Sequence, residues 1–85
     1  MNNNPTLITE KVKAYILQTA YAAEGTIQDN TLIFNEGYFD SMGFVMLISF
    51  LDEEFGIKVL DEELIEENFE SINAINDFIM RKSNW

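Results

Sequence analysis

The chain has 85 residues, with 15 Asp and Glu against 5 Lys and Arg, a formal net charge of −10, and neither Cys nor His. Without Cys or His there is no disulfide, no thiolate or imidazole metal site, no cysteine nucleophile and no histidine base, which excludes most metal-dependent and hydrolytic chemistry. A pI near 4.1 repels nucleic-acid phosphates and anionic lipid surfaces, so the expected partner is a protein with a basic face, not nucleic acid and not a membrane.

A chain of this length supports one domain, expected over residues 1–85, and a hydrophobic content of 47% with a single Pro suits a packed globule better than an acidic tail. The opening Met-Asn-Asn-Asn-Pro has no basic segment followed by an apolar one, and no 18 apolar residues run together. The expectation is a soluble, cytoplasmic monomer.

Residues 5–24 place Ile8, Val12, Tyr15, Ile16 and Thr19 or Ala20 on one helical stripe. Asn4 suits the N-cap, Pro5 the first turn and Gly25 the stop. The fifteen residues from Thr26 to Asp40 show no helical period. A connection that long is usually functional or pinned by its own side chains, and Leu32 and Phe34 are the expected pins.

Residues 41–55 predict a second helix, capped by Asp40 or Ser41 and closed at Gly56. Phe44, Leu47, Ile48, Leu51 and Phe55 form its core stripe, while Met42, Val45, Met46 and Phe50 lie outside it. A helix apolar on both sides is either wholly buried or uses its second face for binding. Residues 61–69 are short and acidic and predict one or two helical turns anchored by Leu64, Ile65 and Phe69. Ser71 then caps a last helix carrying Ile72, Ile75, Phe78 and Ile79, with Arg81 and Lys82 opposing the dipole in its final turn. The sum is an all-α, four-helix bundle, three helices longer and one short, with a long loop between the first two. Gly56-Ile57-Lys58-Val59 is the only β-like stretch and is too short for a sheet.

Ser41 is the residue with chemical promise. As a nucleophile it would need a base, yet there is no His and every Lys is remote in sequence, so self-sufficient serine catalysis is disfavoured and N-capping is the plain alternative. The acidic runs do not make an EF-hand: from Asp61, the fifth position is Ile65 and the sixth is Glu66, where an oxygen ligand and Gly are required. Charge is concentrated, however, with ten acidic residues against Lys58 alone between Asp40 and Glu70, a balance of −9 over 31 residues. An exposed hydroxyl beside such a field reads as a docking surface with a reactive group at its rim.

The run Phe34-Asn35-Glu36-Gly37-Tyr38-Phe39-Asp40-Ser41-Met42-Gly43, then Leu47, Leu51, Asp52-Glu53-Glu54-Phe55-Gly56-Ile57 and Asp61-Glu62-Glu63-Leu64, resembles an acyl carrier protein over nearly the whole chain. The resemblance implies that a phosphopantetheinyl transferase attaches 4′-phosphopantetheine from coenzyme A to Ser41, within a motif flanked by Asp40. The thiol of that arm would carry an acyl or aminoacyl group as a thioester, so the protein itself need not be an enzyme. Further partners implied are an activating ligase or synthase and acyltransferases. Housekeeping fatty-acid carriers commonly follow the Ser with Leu and place acidic residues on the recognition face, whereas here Met42, Gly43, Phe44 and Met46 follow. The pattern is closer to stand-alone carriers such as D-alanyl carriers and those paired with adenylate-forming ligases. Met42, Val45 and Met46, with Asp52 and Glu53, are the expected partner-binding residues. The other reading is an unmodified acidic adaptor using the same helix face.

Overall fold

A computed structural model describes residues 5–83. The order is α1 (Pro5–Thr19), α2 (Ser41–Phe55), two single 3₁₀ turns (Asp61–Glu63 and Glu66–Asn68) and α3 (Ile72–Ser83). Among these residues there is no strand. The expected all-α fold with a long α1–α2 loop is therefore present, and its short fourth element consists of the two 3₁₀ turns.

On α1, Ile8, Val12 and Ile16 are buried, one residue per turn, as the stripe predicts. The helix ends five residues earlier than expected. Tyr21 adopts a left-handed φ of 55°, its N–H donates to the Gln18 carbonyl at 3.2 Å, and the Ala22 N–H donates to the Leu17 carbonyl at 2.9 Å. That paired geometry is a Schellman stop with Tyr in the place usually given to Gly. Tertiary demand overrides the helix propensity of the alanines that follow, because the chain must turn back here to bury Ile27. Gly25 belongs to the next turn. The expected Asn4 cap lies outside the described residues.

The long loop is pinned, with Phe34 packed against the core as expected but Leu32 not. Ile27, Ile33 and Phe39 are its buried anchors, whereas Leu32 remains 37% exposed. Phe34 is half-buried, edge-on to both Phe39 and Phe44. Backbone bonds complete the attachment: Ile33 N–H to the Glu70 carbonyl at 2.9 Å and Asn73 N–H to the Asp29 carbonyl at 3.0 Å stitch the loop to the start of α3. Within the loop, the N–H groups of Tyr38 and Phe39 both donate to the Ile33 carbonyl, which sets the approach to α2.

α2 buries Gly43, Leu47 and Leu51. Phe44, Ile48 and Phe55 are only half-buried at the edges of the core. Phe50, placed outside the stripe by its angle on the helix, is not on the free face: it stacks on Tyr15 with ring centroids 4.0 Å apart and meets Phe55 edge-on. Aromatic reach lets a side chain beyond the stripe find a partner on α1. Gly56, at φ 69°, terminates α2 as expected, with its N–H on the Asp52 carbonyl at 2.8 Å.

α3 follows the sequence closely. The Ser71 hydroxyl accepts from the Ala74 N–H at 3.1 Å, and Ile72, Ile75, Phe78 and Ile79 are all buried. A run of aromatic contacts, Phe39 to Phe34 to Phe44 to Phe69 to Phe78, crosses the interior from the loop to α3. Neither 3₁₀ turn buries a residue. They are held by polar contacts instead: Glu63 pairs with Lys82 at 2.9 Å, and the Asn68 side chain accepts from Arg81 at 3.1 Å while donating to the Glu63 carbonyl at 2.9 Å.

Candidate functional site

The start of α2 is fixed by two residues acting together. Asp40 has extended backbone and its Oδ1 accepts from the Gly43 N–H at 2.9 Å, so Asp40 is the N-cap and Ser41 the first helical residue. Gly43 is buried beneath the Phe39 ring, and a Cβ at that position would come within 2.9 Å of the ring. A glycine inside a helical pattern often marks such a close approach. The anchored Phe39 thus sets where the loop meets the helix, and Ser41 emerges exposed at the junction.

With its capping role taken by Asp40, the Ser41 hydroxyl is available to chemistry. The lysines are engaged elsewhere: Lys11, Lys13, Lys58 and Lys82 pair with Glu54, Asp29, Asp52 and Glu63 respectively. The N-terminal end of α2 presents amides and the positive end of the helix dipole, a setting that favours a phosphate esterified to Ser41.

Two open clefts flank the site. One, of about 420 Å³, is lined by Ser41 itself with Phe34, Phe44, Val45 and Leu64. The other, of about 650 Å³, lies between the end of α1, the loop and α2, with Asp40, Met42 and Met46 on its wall. A flexible arm rooted at Ser41 has apolar surface on either side, so the residues present fit a phosphopantetheine group.

The second apolar face of α2 is real: Met42, Val45 and Met46 are 66%, 59% and 47% exposed. They share the helix with Ser41 and lie within its first two turns. The acidic residues expected beside them differ in status. Asp52 is half-buried and bound by Lys58 at 3.0 Å, whereas Glu53 is exposed. Leu64, an expected anchor of the short acidic segment, is 42% exposed and lines the cleft with Ser41. Its place at the site depends on how the 3₁₀ turns fold over α2, which no local pattern reveals.

Glu63 sits at the back of that segment, its carboxylate accepting from the Leu60 N–H at 2.9 Å and from Lys82. The backbone bond first, and the Lys82 contact next, hold its carboxyl below the usual glutamate value, outweighing a smaller desolvation effect. No helix among the described residues is long and apolar enough to cross a membrane.

The start of α2 thus presents an exposed serine behind an aspartate cap on a small acidic helical fold. The comparisons make the family explicit. The chain is 35% identical over 74 residues to an acyl carrier protein of Buchnera aphidicola subsp. Baizongia pistaciae (strain Bp), covering 87% of this chain and 92% of that one. It belongs to the acyl carrier protein family, whose members are non-enzymatic carriers of acyl groups linked through phosphopantetheine. Its fold also matches a chain in a solved structure described as "Crystal structure of FAD-dependent dehydrogenase", with a TM-score of 0.71 and 25% identity, over 80% of this chain and 97% of that one. No family model matches the chain.

Proposed function

We propose that Ser41 is the attachment point of 4′-phosphopantetheine and that the protein serves a dedicated acyl- or aminoacyl-transfer pathway rather than general fatty-acid synthesis. The observation that carries this is the exposed Ser41 hydroxyl at the first position of α2, directly after the Asp40 cap. In the modification, Ser41 Oγ forms a bond to the pantetheine-side phosphorus of coenzyme A. The pyrophosphate bond breaks, 3′,5′-ADP leaves, and the hydroxyl proton passes to a base of the transferase. When bound, the arm supplies a thiol that carries the acyl group as a thioester. Asp40 holds the helix start so that Ser41 projects into solvent, and the Gly43–Phe39 contact keeps the loop from covering it.

Partners approach over Met42, Val45 and Met46, with Glu53 and the Lys58-bound Asp52 supplying acidic charge nearby. This face is apolar where general carriers are charged, which favours a partner with an apolar knob set among basic residues, such as a dedicated adenylate-forming ligase of the D-alanyl-activating kind. The described residues share one core and act as a single carrier domain.

Intact mass spectrometry after incubation with coenzyme A and a broad-specificity transferase tests the assignment. Wild type gains one phosphopantetheine mass and Ser41→Ala gains nothing. A wild type left unmodified by several transferases would support the adaptor reading instead. For the face, Met46→Glu should slow loading by the cognate ligase roughly 5- to 30-fold, the equivalent of about 1–2 kcal/mol for loss of an interface anchor. Equal loading rates would remove the apolar face from recognition.

A further inference from the structure

Tyr21 is placed at a cost that the fold itself does not offset. Its φ of 55° is left-handed, a conformation that favours glycine, and it is 97% exposed, so its ring contributes no burial in return. A residue held in a strained position without a packing role points to contact with something outside the chain. Tyr21 borders the larger cleft together with Tyr15, Tyr38, Met42 and Met46, and Asp40 adds a carboxylate to the same wall. Asp40 uses Oδ1 to accept from the Gly43 N–H, and its other oxygen has no partner among the described residues. Three phenol rings, two thioethers and a half-used carboxylate thus face one depression. No cation of the described residues enters it: the four lysines pair with Glu54, Asp29, Asp52 and Glu63, and Arg81 lies over the Phe78 ring. Glu24 and Glu36, within three residues of Tyr21 and Tyr38 respectively, are exposed and belong to none of those ion pairs.

We propose that this cleft receives an arginine side chain of a partner protein, with the guanidinium against the tyrosine rings and within reach of the Asp40 carboxylate. Charge selects a cation: the chain carries −10, and aromatic faces attract positive charge through their quadrupole. The lining selects arginine over lysine. A guanidinium is planar, weakly hydrated and able to stack on a ring while it binds a carboxylate, whereas an ammonium holds its water and is served equally well by the exposed acidic residues between Asp61 and Glu70. The volume of about 650 Å³ admits one long side chain, whose methylene stem finds apolar surface on Met42 and Met46. Asp40 and Met42 stand on either side of Ser41, so an arginine seated here sets its protein over the serine. The site reaches from α2 across to the end of α1 and the loop, and it goes beyond the Met42, Val45 and Met46 face, since Val45 lines only the other cleft. Nothing in it requires Ser41 to be modified.

The test titrates unmodified ¹⁵N-labelled protein with N-acetyl-arginine amide at about 0.15 M salt, where charges are screened beyond about 8 Å. Saturable amide shifts should centre on Thr19, Tyr21, Tyr38 and Met46. Half-saturation should come at about a threefold lower concentration than with N-acetyl-lysine amide, and N-acetyl-citrulline amide, of the same shape but uncharged, should give no saturable shift. Tyr21→Gly, which relieves the backbone and removes the ring, should raise the half-saturation concentration about threefold, while Tyr21→Phe, which keeps the aromatic face, should match wild type. Thermal melts establish that both variants are folded. Shifts centred on residues 61–70, equal half-saturation by the arginine and lysine compounds, saturable binding of the citrulline compound, or a Tyr21→Gly protein that binds arginine as wild type does would each overturn the proposal. Because no coenzyme A is present, the result is independent of whether Ser41 takes phosphopantetheine, which the intact-mass assay decides separately.

Discussion

Gly43→Ala provides a strict test of how the site is built. The added Cβ meets the Phe39 ring at 2.9 Å from Cδ2 and 3.3 Å from Cγ, closer than carbon atoms tolerate. Phe39 cannot yield freely. It is 5% exposed, meets Phe34 edge-on with centroids 5.9 Å apart, and its N–H is bonded to the Ile33 carbonyl at 3.1 Å. Overpacking of a buried position destabilises by about 1–3 kcal/mol. Replacing Gly by Ala in a helix interior returns up to about 1 kcal/mol, and less in a first turn. The net expectation is a loss of about 1–2 kcal/mol, or roughly 5–10 °C in Tm for a domain of this size. Urea denaturation followed by far-UV circular dichroism measures it. In the double variant Gly43→Ala with Phe39→Leu, the slimmer side chain should remove much of the penalty of the alanine, a coupling visible in the double-mutant cycle. A Gly43→Ala protein as stable as wild type would show that Phe39 does not define the loop–helix junction.

Three further outcomes follow from the same geometry. Tyr21→Gly should raise stability by about 0.5–1 kcal/mol by relieving the left-handed strain, since the exposed ring contributes no burial, and Tyr21→Val should lower it; a destabilised Gly variant would refute the Schellman stop. Asp40→Ala should lose about 1 kcal/mol as the cap is removed, while Ser41→Ala should change stability by less than about 0.5 kcal/mol; thermal melts with the order reversed would make Ser41 the cap. Because the folded-state pKa of Glu63 is depressed, its contribution is complete at neutral pH, begins to fall as pH drops toward the ordinary glutamate value, and is gone below the folded value. Melts of wild type and Glu63→Gln should therefore differ at pH 7 and converge in acid, and a gap that persists at low pH would place the effect elsewhere than in the carboxylate.

Sequence alone determined what periodicity and terminal chemistry can determine here. The α1 stripe of Ile8, Val12 and Ile16, the Ser71 cap with the buried face of α3, and the Gly56 stop of α2 each rest on residues a few positions apart, so local geometry settles them. Ser41 was legible for a related reason, since a short motif and a helix start fall together, and its exposure at the first position of α2 follows. The choice between Asp40 and Ser41 as cap was not legible, because both residues cap well and only the backbone at the junction selects one. Tertiary structure decided the rest. The end of α1 was set by the need to return Ile27 to the core, against the preference of the alanines beyond Thr19. Ile33 and Phe39 displaced Leu32 as loop anchors because burial in a loop with no period depends on contacts made across the fold, here with Glu70 and Gly43. Phe50 joined the packed side of α2 through a stack on Tyr15, 35 residues away in sequence. The clefts beside Ser41 have walls from α1, the loop, α2 and the 3₁₀ region, and such surfaces exist only once distant segments are brought together.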